Sequence, residues 1–258
     1  MTDARDRVRE QYGKVGDAYV RSVGHATGGD LERMLHHADP KPTDTLFDIA
    51  TGGGHVARVI GPHVGRVIAS DLTPSMLDHA IPYLEQQGLT NVERLVADAQ
   101  NLPLGDATID IVTCRIAPHH FPDPSQFVAE VARVLKPDGR FLLVDSTVPD
   151  GEVGDFFNAY ETVRDPSHVR SLSETEWIDL LVGHGFAVVA VEAFRKRHEF
   201  DDWTARMQVP ASDRARLQAM MRDASEEVHR TFEVDLDPET GLVRSWVDTK
   251  TLFVARLG

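Results

Sequence analysis

The stretch Thr45-Leu-Phe-Asp-Ile-Ala-Thr-Gly-Gly-Gly-His-Val-Ala57 restricts the fold of this chain more than any other, because it changes character three times within thirteen residues. Leu46 to Ala50 is a short apolar run holding one carboxylate, Asp48; three consecutive glycines follow, Gly52 to Gly54, and a helical pattern begins behind them. An apolar run of this length beside a break reads as a buried parallel strand, and the glycines as a turn whose backbone passes close to something else. Strand, glycine turn and helix together mark the place where an open α/β sheet receives a nucleotide-like ligand.

Two ligands compete for such a turn. Gly52, Gly54 and Ala57 satisfy the dinucleotide fingerprint G-x-G-x-x-G/A, and Asp71 lies about 20 residues on, where an acid binds a ribose. Asp48, four residues before Gly52, argues against a dinucleotide. Its charge would repel a pyrophosphate seated on the turn and the helix N-terminus, whereas a zwitterionic or cationic ligand would be attracted. An acid, a small residue and a G-x-G turn, here Asp48, Ala50, Gly52 and Gly54, resemble the first motif of class I S-adenosylmethionine-dependent methyltransferases. That cofactor brings an ammonium, a sulfonium and an adenosine with a ribose diol.

Later segments repeat the strand-then-acid pattern. Val67 to Ser70 ends in Asp71, and Thr73-Pro74 then starts a helix carrying Met76, Leu77, Ala80 and Ile81, with a kink or irregular last turns expected at Pro82. Asp71 suits a ribose diol; capping that helix is its plainer role. Val92 to Ala97 is a third strand, ending in Asp98, and Ile109 to Cys114 is a fourth. The segment Arg115-Ile-Ala-Pro-His-His-Phe-Pro122 leaves the fourth strand at the carboxyl edge, where the loops of such a sheet form the ligand mouth. Read as extended chain, it sends His119 and His120 to opposite sides, so that they do not share a metal and one faces inward. Either suits a general base, and either suits shaping the loop through a backbone hydrogen bond. Arg115 suits a carboxylate of the cofactor tail or of a substrate, or plain loop packing.

The phrase Val134-Leu-Lys-Pro-Asp-Gly-Arg-Phe-Leu-Leu143 resembles the region after the core motifs of class I methyltransferases, in particular those related to ubiquinone and menaquinone biosynthesis. Asp165-Pro-Ser-His-Val-Arg170 and Trp203 to Arg206 resemble a narrower group of poorly characterised bacterial methyltransferases. The resemblance implies that Asp98 meets the adenine amine and the Ala99 amide a ring nitrogen. It gives a cofactor set of Asp48, Ala50, Thr51, Gly52, Gly54, Asp71, Leu72, Asp98, Ala99 and Arg115, with His120, His119 and His168 as candidates for a proton acceptor and no metal. The implied reaction is transfer of the sulfonium methyl of S-adenosyl-L-methionine, in line, to a small-molecule acceptor, leaving S-adenosyl-L-homocysteine. Two rivals are a protein that binds the adenosyl ligand as a sensor without methylating anything, and a nicotinamide-dependent oxidoreductase.

The expected architecture is α/β: a Rossmann-like, doubly wound sheet of seven strands, mostly parallel with an antiparallel last strand, carrying N-terminal and late helical appendages. One domain spans residues 1–258, with an N-terminal helical cap (1–42), a core (43–195), a helical insert (196–241) and the last strand (242–258). The cap reads as helices interrupted near Gly13 to Gly16 and near Gly28-Gly29, with Tyr12 and Tyr19 packing or lining a pocket. A sixth strand covers Phe186 to Val191, and the insert is a helical flap whose Leu217, Met220 and Met221 stripe belongs to core packing.

Composition narrows the partners. A net charge of -14 and a pI near 5.2 argue against nucleic acid or an anionic membrane as the main partner. The single cysteine, Cys114, precludes an internal disulfide and suits a reducing cytoplasm. The N-terminus lacks the apolar core of a signal peptide, and no apolar run approaches membrane-spanning length, so a soluble cytoplasmic protein is expected, with a homodimer left open.

Overall fold

The computed structural model describes residues 4–20 and 28–258, and for 14–20 the backbone alone. Seven strands make one continuous sheet: β1 (Thr45–Ile49), β2 (Arg66–Asp71), β3 (Val92–Val96), β4 (Ile109–Arg115), β5 (Leu135–Thr147), β6 (Phe186–Glu199) and, last in the chain, β8 (Val243–Leu257). Their order is β3-β2-β1-β4-β5-β8-β6, with a two-residue β7 (Asp235–Leu236) paired on β8. β1 is parallel to both β2 and β4, and β4 to β5; β8 alone runs against its neighbours, β5 and β6. The chain steps outward from β1 to β3 and then returns to β4, so the strand order reverses beside β1. Such a switch point opens a crevice at the carboxyl ends of the strands.

Alternate residues of the central strands face opposite layers. Leu46, Val67, Ile111, Leu142 and Val144 are buried against Met34 of α2 (Gly29–Ala38), Val56 and Ile60 of α3 (His55–Ile60) and Leu84 of α4 (Pro74–Gln86). Phe47, Ile49, Val112, Cys114, Phe141 and Leu143 are buried on the other side, against Phe127, Val128 and Val131 of α5 (Pro124–Val134) and Trp177 and Leu181 of α7 (Glu174–Gly183). Both faces are covered, which explains why these strands read as nearly unbroken apolar runs. Local signals set the helix starts: Asp123 accepts from the Gln126 amide at the head of α5, and Ser173 with Glu176 forms a capping box on α7. A third cluster joins Phe157 and Tyr160 of α6 (Glu152–Arg164), Trp203 of α8 (Phe200–Arg206), Leu217 and Met221 of α9 (Ala211–Arg222), Val228 of α10 (Glu226–Thr231) and Trp246 of β8. The Leu217 and Met221 stripe is therefore core.

Several expectations need correction. The N-terminal helix α1 runs without a break from Ala4 to Val20, through Gly13 and Gly16. The side chain of Tyr19 and the chain just before Gly28 lie outside the described residues. β6 extends eight residues beyond Val191, to Glu199, because β8 pairs with it along that whole length, from Phe186↔Leu257 to Glu199↔Ser245. The strand thus crosses residue 196, where the insert was expected to begin. Finally, Pro118–His120 is one turn of 3-10 helix, not extended chain, and the rings of His119 and His120 lie together with centroids 4.2 Å apart.

Candidate active site

The crevice is a cavity of about 1820 Å³ counted with its open mouth. Its walls come from the carboxyl ends of β1, β2, β4 and β5, from α1 above, and from α6, α8, β6 and β8 behind.

At one end stands the glycine turn. Ala50, Gly52 and Gly54 all have positive φ, at 52°, 52° and 79°. Gly54 has a second reason to lack a side chain, since a Cβ there would sit 3.2 Å from Leu84 of α4. Asp48 is buried at the base of the turn, accepting from the Thr51 hydroxyl and, at 2.7 Å, from the Thr113 hydroxyl of β4. Asp71 accepts from the Gly52 amide at 3.2 Å and from the Thr73 amide at 2.9 Å. The Thr73 contact makes a turn just ahead of α4, and the same carboxylate pins the glycine turn. Each carboxylate oxygen keeps further acceptor capacity. Burial pushes both acids up to about 6, against the pull of those hydrogen bonds. Asp98 accepts from the Gln100 amide at 2.9 Å and pairs with Arg5 of α1 at 2.6 Å. Leu72 and Ala99 line the same wall. Arg115 donates through Nε to buried Asp30 of α2 at 2.5 Å, so one of its donors is committed to anchoring that helix.

The three histidines line the middle of the cavity. His119 Nδ1 lies 2.6 Å from Oδ1 of Asp145, a fully buried residue of β5. His120 is held on both sides, by the Tyr12 hydroxyl at 2.8 Å and the Ser167 carbonyl at 3.1 Å, and His168 lies 2.9 Å from Asn158 Oδ1. His119 and His168 have ring centroids 5.5 Å apart. Burial and the neighbouring rings and cations hold His119 well below the ordinary imidazole value, and burial lowers His168 likewise. Burial pushes Asp145 up to about 7. His119 and His168 are therefore neutral at pH 7, each with one donor and one acceptor nitrogen. Among the described residues no group of His, Cys, Asp and Glu side chains is arranged to hold a metal ion.

The far end was missed by the sequence reading. Arg164 of α6, Lys196 and His198 of β6, Arg206 of α8, and Asp248 and Lys250 of β8 line it, with Glu161 and Ser171. Lys250 pairs with Asp248 at 2.6 Å, His198 lies 3.1 Å from Asp248, and Lys196 stands opposite Asp248 across the strand pair. The available signal was the two-residue spacing of Trp246, Asp248 and Lys250 ahead of the apolar run Leu252 to Ala255, which puts charge on the face that Trp246 buries. Ile116, with φ 54°, is a second missed feature: a β-branched residue in the left-handed region at the end of β4, where it lines the cavity. Strain of that kind collects at functional sites.

A family model described as a methyltransferase domain matches residues 47–143, which run from β1 into β5. An uncharacterised methyltransferase of Bacillus subtilis, YcgJ, is 36% identical over 227 residues, covering 88% of this chain and 90% of its own length. The YcgJ crystal structure superposes with a TM-score of 0.85 at 34% identity, over 88% of this chain and 97% of that one. The ubiquinone/menaquinone biosynthesis C-methyltransferase UbiE of Teredinibacter turnerae is 36% identical over 118 residues, 44% of this chain and 47% of the relative. Its stretch of likeness is shorter, so the narrower kinship is with YcgJ. No helix among the described residues is long and apolar enough to cross a membrane. With YcgJ matched over nine tenths of its length, and with the reversed strand order and antiparallel β8 in place, this chain belongs to the class I S-adenosylmethionine-dependent methyltransferases.

Proposed function

We propose that the protein binds S-adenosyl-L-methionine across the glycine turn and transfers its methyl group to a small-molecule acceptor in the adjoining chamber, releasing S-adenosyl-L-homocysteine. The observation that carries this reading is the continuity of one cavity, which runs from Asp48 and Asp71 through the histidines to the charged far wall. Two buried acids raised to about 6 fit a ligand that brings a cation and a pair of hydroxyl donors, because both would favour the ionised carboxylates. In this reading Asp71 accepts from the ribose diol, and Asp98 and the Ala99 amide meet the adenine. Thr51, Gly52 and Gly54 shape the floor under the amino-acid tail, Asp48 supplies its counter-charge, and Arg115, whose Nε donates to Asp30, faces the tail carboxylate.

When bound, the cofactor supplies an electrophilic methyl group on a sulfonium. The chain then has to align the acceptor, exclude water and take one proton. His119 is the best placed of the three candidate bases. Asp145 fixes its ring through Nδ1, and Nε2 makes no hydrogen bond to a described residue. His120 and His168 are each tied by a hydrogen bond to loop or helix partners, so their role is to shape the pocket. The proposed compartment is the cytoplasm.

Calorimetry with S-adenosyl-L-homocysteine and with NAD tests the cofactor assignment: tight NAD binding without a response to the adenosyl compound would overturn it. Incubation with methyl-labelled cofactor and a metabolite extract tests the transfer. Binding of the cofactor with no label in any product would favour a sensor instead.

A further inference from the structure

The three histidines in the middle of the cavity differ in which ring nitrogens are engaged, and this fixes what each offers a ligand. His120 is used at both ends: Nδ1 donates to the Ser167 carbonyl, so Nε2 accepts from the Tyr12 hydroxyl. His168 is used at one end only. The amide of Asn158 is oriented by Ser171, its Oδ1 accepting from the Ser171 amide at 2.7 Å and its Nδ2 donating to the Ser171 carbonyl at 3.1 Å. The same Oδ1 lies 2.9 Å from His168 Nε2, so Nε2 carries the proton and the neutral ring keeps its lone pair on Nδ1. That nitrogen makes no hydrogen bond to a described residue. His119 is the mirror case: Nδ1 donates to Asp145, and the lone pair sits on Nε2.

Two bare imidazole nitrogens therefore line one cavity, on rings whose centroids are 5.5 Å apart. The chain holds them in place, because the Val169 and Arg170 amides both donate to the His119 carbonyl, at 2.9 Å and 3.0 Å. In the same loop the Ser171 hydroxyl is fully buried, belongs to a residue that lines the cavity, and has no hydrogen-bond partner among the described residues. Buried polar atoms are nearly always satisfied. What this wall lacks is a pair of donors, one for each imidazole, and a polar atom for Ser171.

From this geometry, and resting on the methyl-transfer reading above, we infer that the acceptor is a vicinal diol: one hydroxyl donates to His119 Nε2 and is methylated, the adjacent one donates to His168 Nδ1, and Ser171 donates to an oxygen of the pair. A hydrogen bond spans roughly 2.7–3.0 Å, so hydroxyls on neighbouring carbons bridge rings at this separation. As the first oxygen bonds to the methyl carbon, the carbon–sulfur bond breaks with its electrons left on sulfur, and the O–H proton passes to His119 Nε2. The product is a monomethyl ether. His168 and Ser171 act on the second contact, which fixes the acceptor's orientation for in-line attack.

Calorimetry on protein saturated with S-adenosyl-L-homocysteine, in the presence of EDTA, tests the inference. Catechol and trans-1,2-cyclohexanediol are the diol probes, and resorcinol, phenol and cyclohexanol the controls. At least one diol is expected to bind tenfold or more tightly than every control, and the better of the two identifies the diol as aromatic or aliphatic. His168→Phe keeps a ring without its nitrogens and should lower the diol to the affinity of phenol, with that for S-adenosyl-L-homocysteine unchanged. Ser171→Ala keeps both backbone bonds to Asn158 and should weaken the diol several-fold without lowering the melting temperature, so the test stands even where the histidine variant fails to fold. Equal binding of diols and controls overturns the inference, as does diol affinity unchanged in both variants. Diol binding that appears only when zinc replaces EDTA overturns it in favour of a metal on the two nitrogens. Diol selectivity in a protein that gives no response to S-adenosyl-L-homocysteine counts against the methyl-transfer reading and leaves the diol site standing.

Discussion

At the scale of single residues, Asp48 and Asp71 make the site sensitive to pH in a definite direction. Both are held up at about 6 by burial, above their value in an unfolded chain, so their contribution to stability is full below about 4 and is lost as pH rises through 6. Ligand binding should have the opposite slope. An ammonium beside Asp48 and hydroxyl donors on Asp71 favour the ionised forms, so binding releases protons below pH 6. Affinity for S-adenosyl-L-homocysteine is expected to rise about tenfold per carboxylate from pH 5 to 7 and then level off. Calorimetry in two buffers of different ionisation enthalpy measures the protons released; a flat profile would show that neither acid meets the ligand. A second expectation separates the two jobs of Asp71. Asp71→Asn retains an acceptor for the backbone amides but loses the charge that strengthens diol binding, so the cofactor should bind roughly tenfold more weakly with a nearly unchanged melting temperature. For His119, His119→Gln is expected to lower kcat by about 10²-fold or more, with little effect on cofactor affinity.

Elements explain why some of this was legible in the sequence and some was not. Asp48, Asp71 and Asp98 could be read because each closes or interrupts a short apolar strand beside a turn, a signal contained within a dozen residues. Lys196 could not, because what brings it to Asp248 is the pairing of β6 with β8, two strands about 50 residues apart in sequence, along fourteen residues of β6. The run Phe194-Arg-Lys-Arg-His198 looks like solvated insert until its partner strand is known. α1 failed in the opposite sense. Glycine in a helix costs only about 1 kcal/mol relative to alanine, and packing on α4 and the site outweighs Gly13 and Gly16. Positive φ at Ala50 and Ile116 had no local signal, since neither residue type favours it. The placement of α1 carries a prediction. It is tied to the site by the Arg5–Asp98 ion pair and by Tyr12, whose hydroxyl meets His120 and lies 3.4 Å from Asp165. Because α1 covers the cofactor wall of the cavity, its opening is expected to gate ligand exchange. The double variant Arg5→Ala, Tyr12→Phe should release S-adenosyl-L-homocysteine several-fold faster in stopped-flow displacement, with the fold intact. An unchanged off-rate would mean that the ligand leaves by another route.

At the scale of the molecule, what matters is whether the late helices are an attachment or part of the cooperative unit. Trp246 sits in β8, the strand that also carries Leu252 and Val254 into the central core, and it is fully buried among Phe157, Tyr160, Trp203 and Phe232. The same strand therefore belongs to all three hydrophobic clusters, and the third cannot loosen without fraying the antiparallel ladder that holds β6 to the sheet. Residues 196–241 should accordingly unfold together with the core, as expected of one domain spanning the chain. Trp246→Ala removes the aromatic centre of the cluster and should cost about 3–5 kcal/mol, equivalent to a fall in melting temperature on the order of 10 °C for a chain of this size. Far-ultraviolet circular dichroism and tryptophan fluorescence should still report one coincident transition, in the wild type and in the variant. An early transition seen by fluorescence alone would show instead that the helical insert melts by itself, and the charged wall of the cavity would then be assembled only when β8, α6 and α8 dock against one another.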